Sequence, residues 1–538
     1  MNGRTPAPAM VTSPHAEASA CGAAVLAAGG NAVEAALTTV AALGVAYPHF
    51  CGVGGDAFFL IAEAGGAVHA VSGIGQAALA CEGYPPHQPI PVRGGRSALT
   101  TAGAVDAMAQ AFAIGQGMGQ SGESQQRRRL AWADLWAPAI ALARDGYALS
   151  DSERFWLEFR RSERQALAGI YAEYADAGNG PESTVQRRPQ LAATLQQLAS
   201  QGPRAFYEGP LAERLARGLA AAGSPLTTTD LAATRARRET PLRMAYRGGT
   251  LLAHPPPTQG LTTLGIMGIL NRFALSEWEE GSADYYHLLV ESVKRAFLDR
   301  NQWLADPEFS RVPLERLLSA PHLNAQAAAI DMQRAMPWPA PLQTGDTVFV
   351  GAVDAQGNAV SALATVYFDW GSGVLAGDTG VLWHNRGAAF STDPAHPNAL
   401  QPGKRPFHTL NPGIYLRDGK VQLVYGTQGA DGQPQTLAAV LSRLIDYQLP
   451  PWEALARPRF LLGRTFSDGR DTLKLEADVP AAVQATLAAR GHAIQSVPAQ
   501  SPLLGHPGAL ARDAATGLWC GAHDPRSDGV ALGAWPVT

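Results

Sequence analysis

The chain has 538 residues, 46% of them hydrophobic and 16% charged, with a formal net charge of −4. That length is enough for a large core and for more than one domain, and the composition is that of a globular protein. The charge excludes a basic nucleic-acid surface, and no apolar run of about 18 residues exists to span a membrane.

Four widely spaced cysteines, Cys21, Cys51, Cys81 and Cys520, form no CxxC pair or His/Cys cluster. No metal is therefore expected from them, and the reading reached below implies no organic cofactor. Residues 1–11 carry one Arg and no apolar core, which argues against a secretory signal and for a cytoplasmic protein.

Ser13 and Pro14 predict the cap and first turn of a helix over 15–28, stopped by Gly29-Gly30. Asn31 predicts the cap of a second helix reaching about Val45. The Gly-rich turn 47–56 leads into a strand over 57–62. No Lys-Ser/Thr and no helix follow it, so a phosphate cradle is rejected. A strand over 67–71 comes next. Residues 115–126 are rich in Gly, Gln and Ser and end in Arg127-Arg128-Arg129, a solvated basic loop. Helices are predicted over 132–145, 190–200, 210–222, 261–275 and 285–304, with a strand over 250–253 and a rigid turn at 255–260. Residues 320–344 read as an apolar helix followed by a Pro-rich flexible stretch.

Next comes a hairpin. Residues 348–353 form an apolar strand, Asp354 to Asn358 a turn with Gly357 available for positive φ, and 359–366 the returning strand. Thr347 heads it, directly after Asp346. Cutting the Asp346–Thr347 bond would give Thr347 a free α-amine beside its own hydroxyl. A hydroxyl is a weak nucleophile without a base, and an α-amine with a pKa of about 7.7–8.0 can be that base.

With "GGNAVEAA", "GVGGDAFFLI", "ESVKRAFLDRNQWLADP" and the closing Asp524 to Gly529, this hairpin resembles the γ-glutamyltransferase family over about residues 9–529. The resemblance implies the αββα sandwich of the N-terminal-nucleophile hydrolases: two stacked antiparallel sheets between helices, an α+β fold. It implies a proenzyme that cuts itself between Asp346 and Thr347. Residues 1–346 would be the large fragment and 347–538 the small one, interlocked in one globular unit. Thr347 would be the nucleophile and Thr365 its hydrogen-bonding partner, with Gly429 and Ala430 supplying N–H groups for the oxyanion.

The substrate-reading positions depart from the glutamyl-specific pattern. No Arg occurs between Val45 and Val92, where the family holds the substrate carboxylate. Arg386 and Ala389 stand where a Gln and an Asp are usual, Tyr367 where an Asn is usual, and His408 and Thr409 where two Ser are usual. A γ-glutamyl head would lose two charge-assisted contacts, each worth about 1.5–3 kcal/mol. The replacements suggest an anion held by Arg386 and His408 with Tyr367 and Trp370 as aromatic wall. These traits resemble the acylase-like and oxamate amidohydrolase-like branch. The expected function is hydrolysis of a small non-γ-glutamyl amide through an acyl-enzyme on Thr347. The expected partners are that small-molecule amide and the chain's own two fragments, with a homodimer left open. The competing readings are a true γ-glutamyltransferase acting on glutathione, and an unprocessed, non-catalytic relative.

Overall fold

The computed structural model describes residues 3–118, 129–176, 185–338, 346–464 and 470–536. Of the solvated loop expected over 115–129, residues 115–117 end the helix Ala104–Gly117 and 119–128 lie outside these descriptions, as do most of the Pro-rich stretch before Asp346 and the Asp346 side chain.

Seven strands form one sheet, in the order Val530–Ala534, Ala9–Ser13, Asp346–Val353, Ala359–Tyr367, Asp56–Ala62, Val68–Gly73, Arg237–Glu239. A six-stranded sheet runs Trp519–His523, Pro507–Arg512, Lys420–Thr427, Gly413–Arg417, Gly249–Ala253, Leu242–Tyr246. Neighbours within both sheets are antiparallel. The period-two alternation of a strand sorts the side chains. Phe58, Leu60, Phe349 and Leu363 join Leu252, Ile414, Val424 and Leu510 in a core between the sheets. Phe59, Ile61, Val348 and Val350 point the other way, into a core shared with the helices Ala32–Ala46 and Trp132–Asp145. Behind the second sheet, Leu251, Tyr415 and Leu423 pack with the helices Gly260–Leu270, Ala283–Trp303 and Gln433–Ile445. The molecule is thus the αββα sandwich. Covering both sheet faces is why these strands read as continuous apolar runs.

Each sheet contains strands from both sides of residue 346. The strand Asp346–Val353, for example, lies between Ala9–Ser13 and Ala359–Tyr367.

Two sequence expectations need correction. Ser13 caps no helix: it ends the strand Ala9–Ser13, and the first helix is Ala16–Ala27 with His15 at its N-cap. The Ser13 hydroxyl instead donates to the carbonyl of His15, 3.0 Å away. The helix predicted to reach 275 stops at Leu270, because the Arg247 guanidinium takes the carbonyls of Leu270, Asn271 and Phe273 and so satisfies its C-terminal acceptors. The Asn31 cap is present as a full capping box with Glu34.

One packing detail sets the site. A Cβ on Gly426 would lie 2.3 Å from the Phe349 ring, and one on Gly508 would lie 2.7 Å from it. Two bare backbones therefore admit Phe349, which draws the strand that begins at Asp346 onto the end of Lys420–Thr427. The helix start that follows is brought to Thr347, where Gln433 reaches its hydroxyl.

Candidate active site

Thr347 sits opposite a bulge. Val348 pairs with Ala364 and Asp346 with Tyr367, so the single residue Thr347 faces two, Thr365 and Val366. A bulge re-aims side chains and sharpens local twist. By alternation from Phe349, Thr347 lies on the inner face, toward the second sheet. It is buried, and its Oγ accepts a hydrogen bond of 3.2 Å from Nε2 of Gln433. Thr365 is also buried; its Oγ accepts the Tyr367 N–H at 2.7 Å, closing the bulge from inside. Tyr367 pays for that geometry with a φ of +80°, a strained value for a non-glycine residue.

The loop across from Thr347 is also left-handed. Gly429 has φ +127° and Ala430 φ +45°. The Gly429 carbonyl accepts from Gly432 N–H at 2.7 Å. In a trans peptide the N–H points opposite the carbonyl, so the Ala430 N–H is aimed out of that turn. The Ala430 carbonyl accepts from Gln259 Nε2 at 2.6 Å, and the same amide reaches the Thr409 carbonyl at 2.6 Å. Arg300 completes the brace, 3.3 Å from Gln259 Oε1 and 3.0 Å from Asp431 Oδ1. The turn that carries Gly429 and Ala430 is thus held by a frame of side-chain hydrogen bonds that is already formed.

Arg386 is fully buried, and none of its three guanidinium nitrogens has a partner among the described residues. Its guanidinium lies 3.7 Å over the Tyr367 ring. Burial pulls its pKa down to about 10, while Tyr367, Asp56 and Asp431 oppose the shift. Five N–H donors in a rigid planar fork match a carboxylate in shape and charge.

Of the other expected contacts, His408 is engaged elsewhere. Its Nε2 lies 3.1 Å from Asp56 Oδ2, and its Nδ1 accepts Leu410 N–H at 3.3 Å. Burial, then Arg386, pushes its pKa down to about 3, so the ring is neutral and donates to Asp56. Asp56 stays ionised: burial opposes that, but His384, His408 and Arg386 hold its pKa below the usual value. Its Oδ1 also takes the N–H groups of Gly75 and Gly103, at 3.0 and 3.1 Å. Trp370 packs into the helix-side core against His49 and Tyr174. Thr409 is buried with its Oγ unpartnered among the described residues.

Asp56, Gln259 and Gln433 were not found by sequence reasoning. In the sequence Asp56 is only the end of a glycine-rich turn and Gln259 only part of a proline turn. The run Gly432-Gln433-Pro434-Gln435, a polar helix start with Pro in its first turn, is the sequence signal for the third.

Away from this site, ligand atoms of His287, Glu291 and His492 lie within 4.8 Å of one another. Their hydrogen bonds are internal. The two rings meet at 2.8 Å, and Glu291 takes Lys294 Nζ at 2.8 Å and the Met336 N–H. The lysine cation beside the carboxylate does the neutralising that an ion would. No helix among the described residues is long and apolar enough to cross a membrane.

Residues 18–534 match the family model described as gamma-glutamyltranspeptidase. The chain is 43% identical to the oxamate amidohydrolase proenzyme of Klebsiella pneumoniae over 528 residues, covering 97% of this chain and 98% of the other. It is 37% identical to the glutathione hydrolase-like YwrD proenzyme of Bacillus subtilis over 535 residues, with 97% and 98% covered. Among solved structures, cephalosporin acylase from Bacillus halodurans superposes with a TM-score of 0.88 at 30% identity, over 99% of this chain and 97% of that one.

Proposed function

From the premise that this chain belongs to the gamma-glutamyltranspeptidase family and hydrolyses amides, we propose that Thr347 is its nucleophile, exposed by self-cleavage after Asp346. In that cleavage the Thr347 hydroxyl attacks the Asp346 carbonyl. The acyl group shifts from nitrogen to oxygen, and water opens the ester to leave an Asp346 carboxylate and a free Thr347 α-amine. In turnover the α-amine takes the proton from Oγ as Oγ adds to the substrate amide. The N–H groups of Gly429 and Ala430 hold the oxyanion. The proton passes to the leaving nitrogen and ammonia departs. Water, activated by the same amine, then releases the acid.

We assign the substrate to small amides with a carboxylate beside the amide carbonyl, oxamate being the smallest. The observation that carries this is Arg386: buried, cationic and unpartnered among the described residues. A buried charge left unpaired is costly, so its upkeep requires a partner that arrives with function. Tyr367 lies under its face, and we assign the Thr409 hydroxyl as a further contact, while Asp56 engages His408. Ammonia release from oxamate, glutathione, glutamine and neutral acyl amides tests the assignment. Turnover of oxamate in wild type, lost in Arg386→Met, is expected. Oxamate turnover undiminished in Arg386→Met would refute it, as would a wild type that prefers neutral amides to oxamate.

A further inference from the structure

We infer that Gln433 is a further catalytic residue, whose carboxamide aims the Thr347 hydroxyl before cleavage and holds the Thr347 α-amine afterwards. The inference rests on the reading of Thr347 as nucleophile.

Gln433 is fully buried at the first position of the helix Gln433–Ile445, directly after the turn that carries Gly429 and Ala430. Its Nε2 donates to Thr347 Oγ at 3.2 Å, while its Oε1 has no partner among the described residues. A buried carbonyl oxygen left without a donor costs free energy. The chemistry of cleavage supplies one. Hydrolysis of the Asp346–Thr347 bond turns an amide N–H into an ammonium or amine with up to three donors, on the residue Gln433 already touches. A carboxamide offers a donor at one end and an acceptor at the other, and a flip about its last torsion exchanges them. Gln433 can thus orient Oγ through its N–H and the α-nitrogen through its oxygen, fixing the nucleophile and its base relative to each other.

The ionisable groups nearby have other duties. Asp431 is tied to Arg300, Asp56 to His408, and Arg386 stacks on Tyr367. A neutral carboxamide is the suitable partner for an amine that must give up its proton near neutral pH. A carboxylate at the same place would hold the proton on the amine, since an opposite charge within about 4–6 Å shifts a pKa by about 1–3 units.

The test compares Gln433→Glu and Gln433→Met with wild type and Thr347→Ala, reading fragment formation, kcat, KM and the pH profile for oxamate. Gln433→Glu is expected to move the acidic limb of kcat/KM up by about one pH unit or more. Gln433→Met is expected to lower kcat about 10²-fold with KM within about twofold, the scale of a misplaced general base. An acidic limb unmoved in Gln433→Glu would overturn the inference, as would a kcat for Gln433→Met within about threefold of wild type. If Gln433→Met does not fold, the Gln433→Glu profile decides alone. Turnover by Thr347→Ala would instead sink the nucleophile reading beneath it. A dead Thr347→Ala beside unaltered Gln433 variants would sink only the inference about Gln433.

Discussion

Two buried arginines teach opposite lessons. Arg386 and Arg459 are both fully buried, and burial pulls the pKa of each down to about 10. Arg459 is tied in: its guanidinium pairs with Asp524 and donates to the carbonyls of Leu455 and Gly505, at 3.0 and 2.7 Å. Arg526 extends that network, meeting Glu476 at 2.8 Å through Nε. Gly505, in turn, backs Gly429, where a Cβ would meet the Gly505 Cα at 3.2 Å. This cluster ties the closing strands to the loop opposite Thr347. Arg386 makes no such bonds among the described residues. The same residue type at the same depth is tied by hydrogen bonds in one place and, among the described residues, left without them in the other.

Substitutions should separate the two. Arg459→Met leaves Asp524 charged and half-paired in a dry interior, and breaking such a pair costs about 3–5 kcal/mol. Urea unfolding is expected to show that loss, with poor expression as its cellular form. Arg386→Met should do the reverse, because an unpaired buried cation is replaced by an apolar chain. We expect stability to rise by about 1–4 kcal/mol while kcat/KM for oxamate falls at least about 10²-fold, the loss of a charged bond worth about 1.5–3 kcal/mol or more. A destabilised Arg386→Met would erase the contrast. Arg386→Lys should not restore turnover, since a point charge cannot replace the fork.

A smaller effect sharpens the picture of the frame. Gln259→Met removes the brace on the Ala430 and Thr409 carbonyls. The expected result is a kcat about tenfold lower with little change in KM, because a mobile oxyanion loop binds substrate but stabilises its transition state less well. Smallest in the working range is the effect of pH. The folded-state pKa of Arg386, about 10, lies below the unfolded value of about 12.5. The charge is therefore fully present below pH 10 and lost as pH rises through it. KM for an anionic amide should be flat from pH 7 to 9 and climb above 10, while the buried-charge penalty on folding fades over the same window. Neutral amides should show no such climb.

The sandwich was legible because its strands are covered on both faces and its helices carry clear caps, as at Asn31. The hairpin at Thr347 announced itself through a turn sequence and a hydroxyl after an acid. Ser13 misled because a Ser-Pro pair suits a helix start and a strand end alike. Tertiary pairing with Val530–Ala534 decided between them. What sequence could not give was the bulge opposite Thr347. It depends on register across the hairpin, and spacing within one strand does not carry register. Gln433, Gln259 and Asp56 were hidden for a related reason. Each bonds across 86 to 352 residues of chain, and a polar side chain in a turn looks the same whether or not such a partner exists. Arg386 is legible as a departure from the glutamyl-binding pattern, but its depth and its nitrogens without a partner among the described residues are visible only in the fold.

The central claim is that Thr347 becomes the N-terminal nucleophile. Its most direct test is the intact mass and denaturing gel of freshly purified wild type beside Thr347→Ala, with the new N-terminus sequenced and ammonia release from oxamate measured on both. The account predicts two chains for wild type, the smaller beginning at Thr347, and a single inactive chain for the mutant. An uncut wild type that releases ammonia, or a Thr347→Ala that still does so, would contradict it.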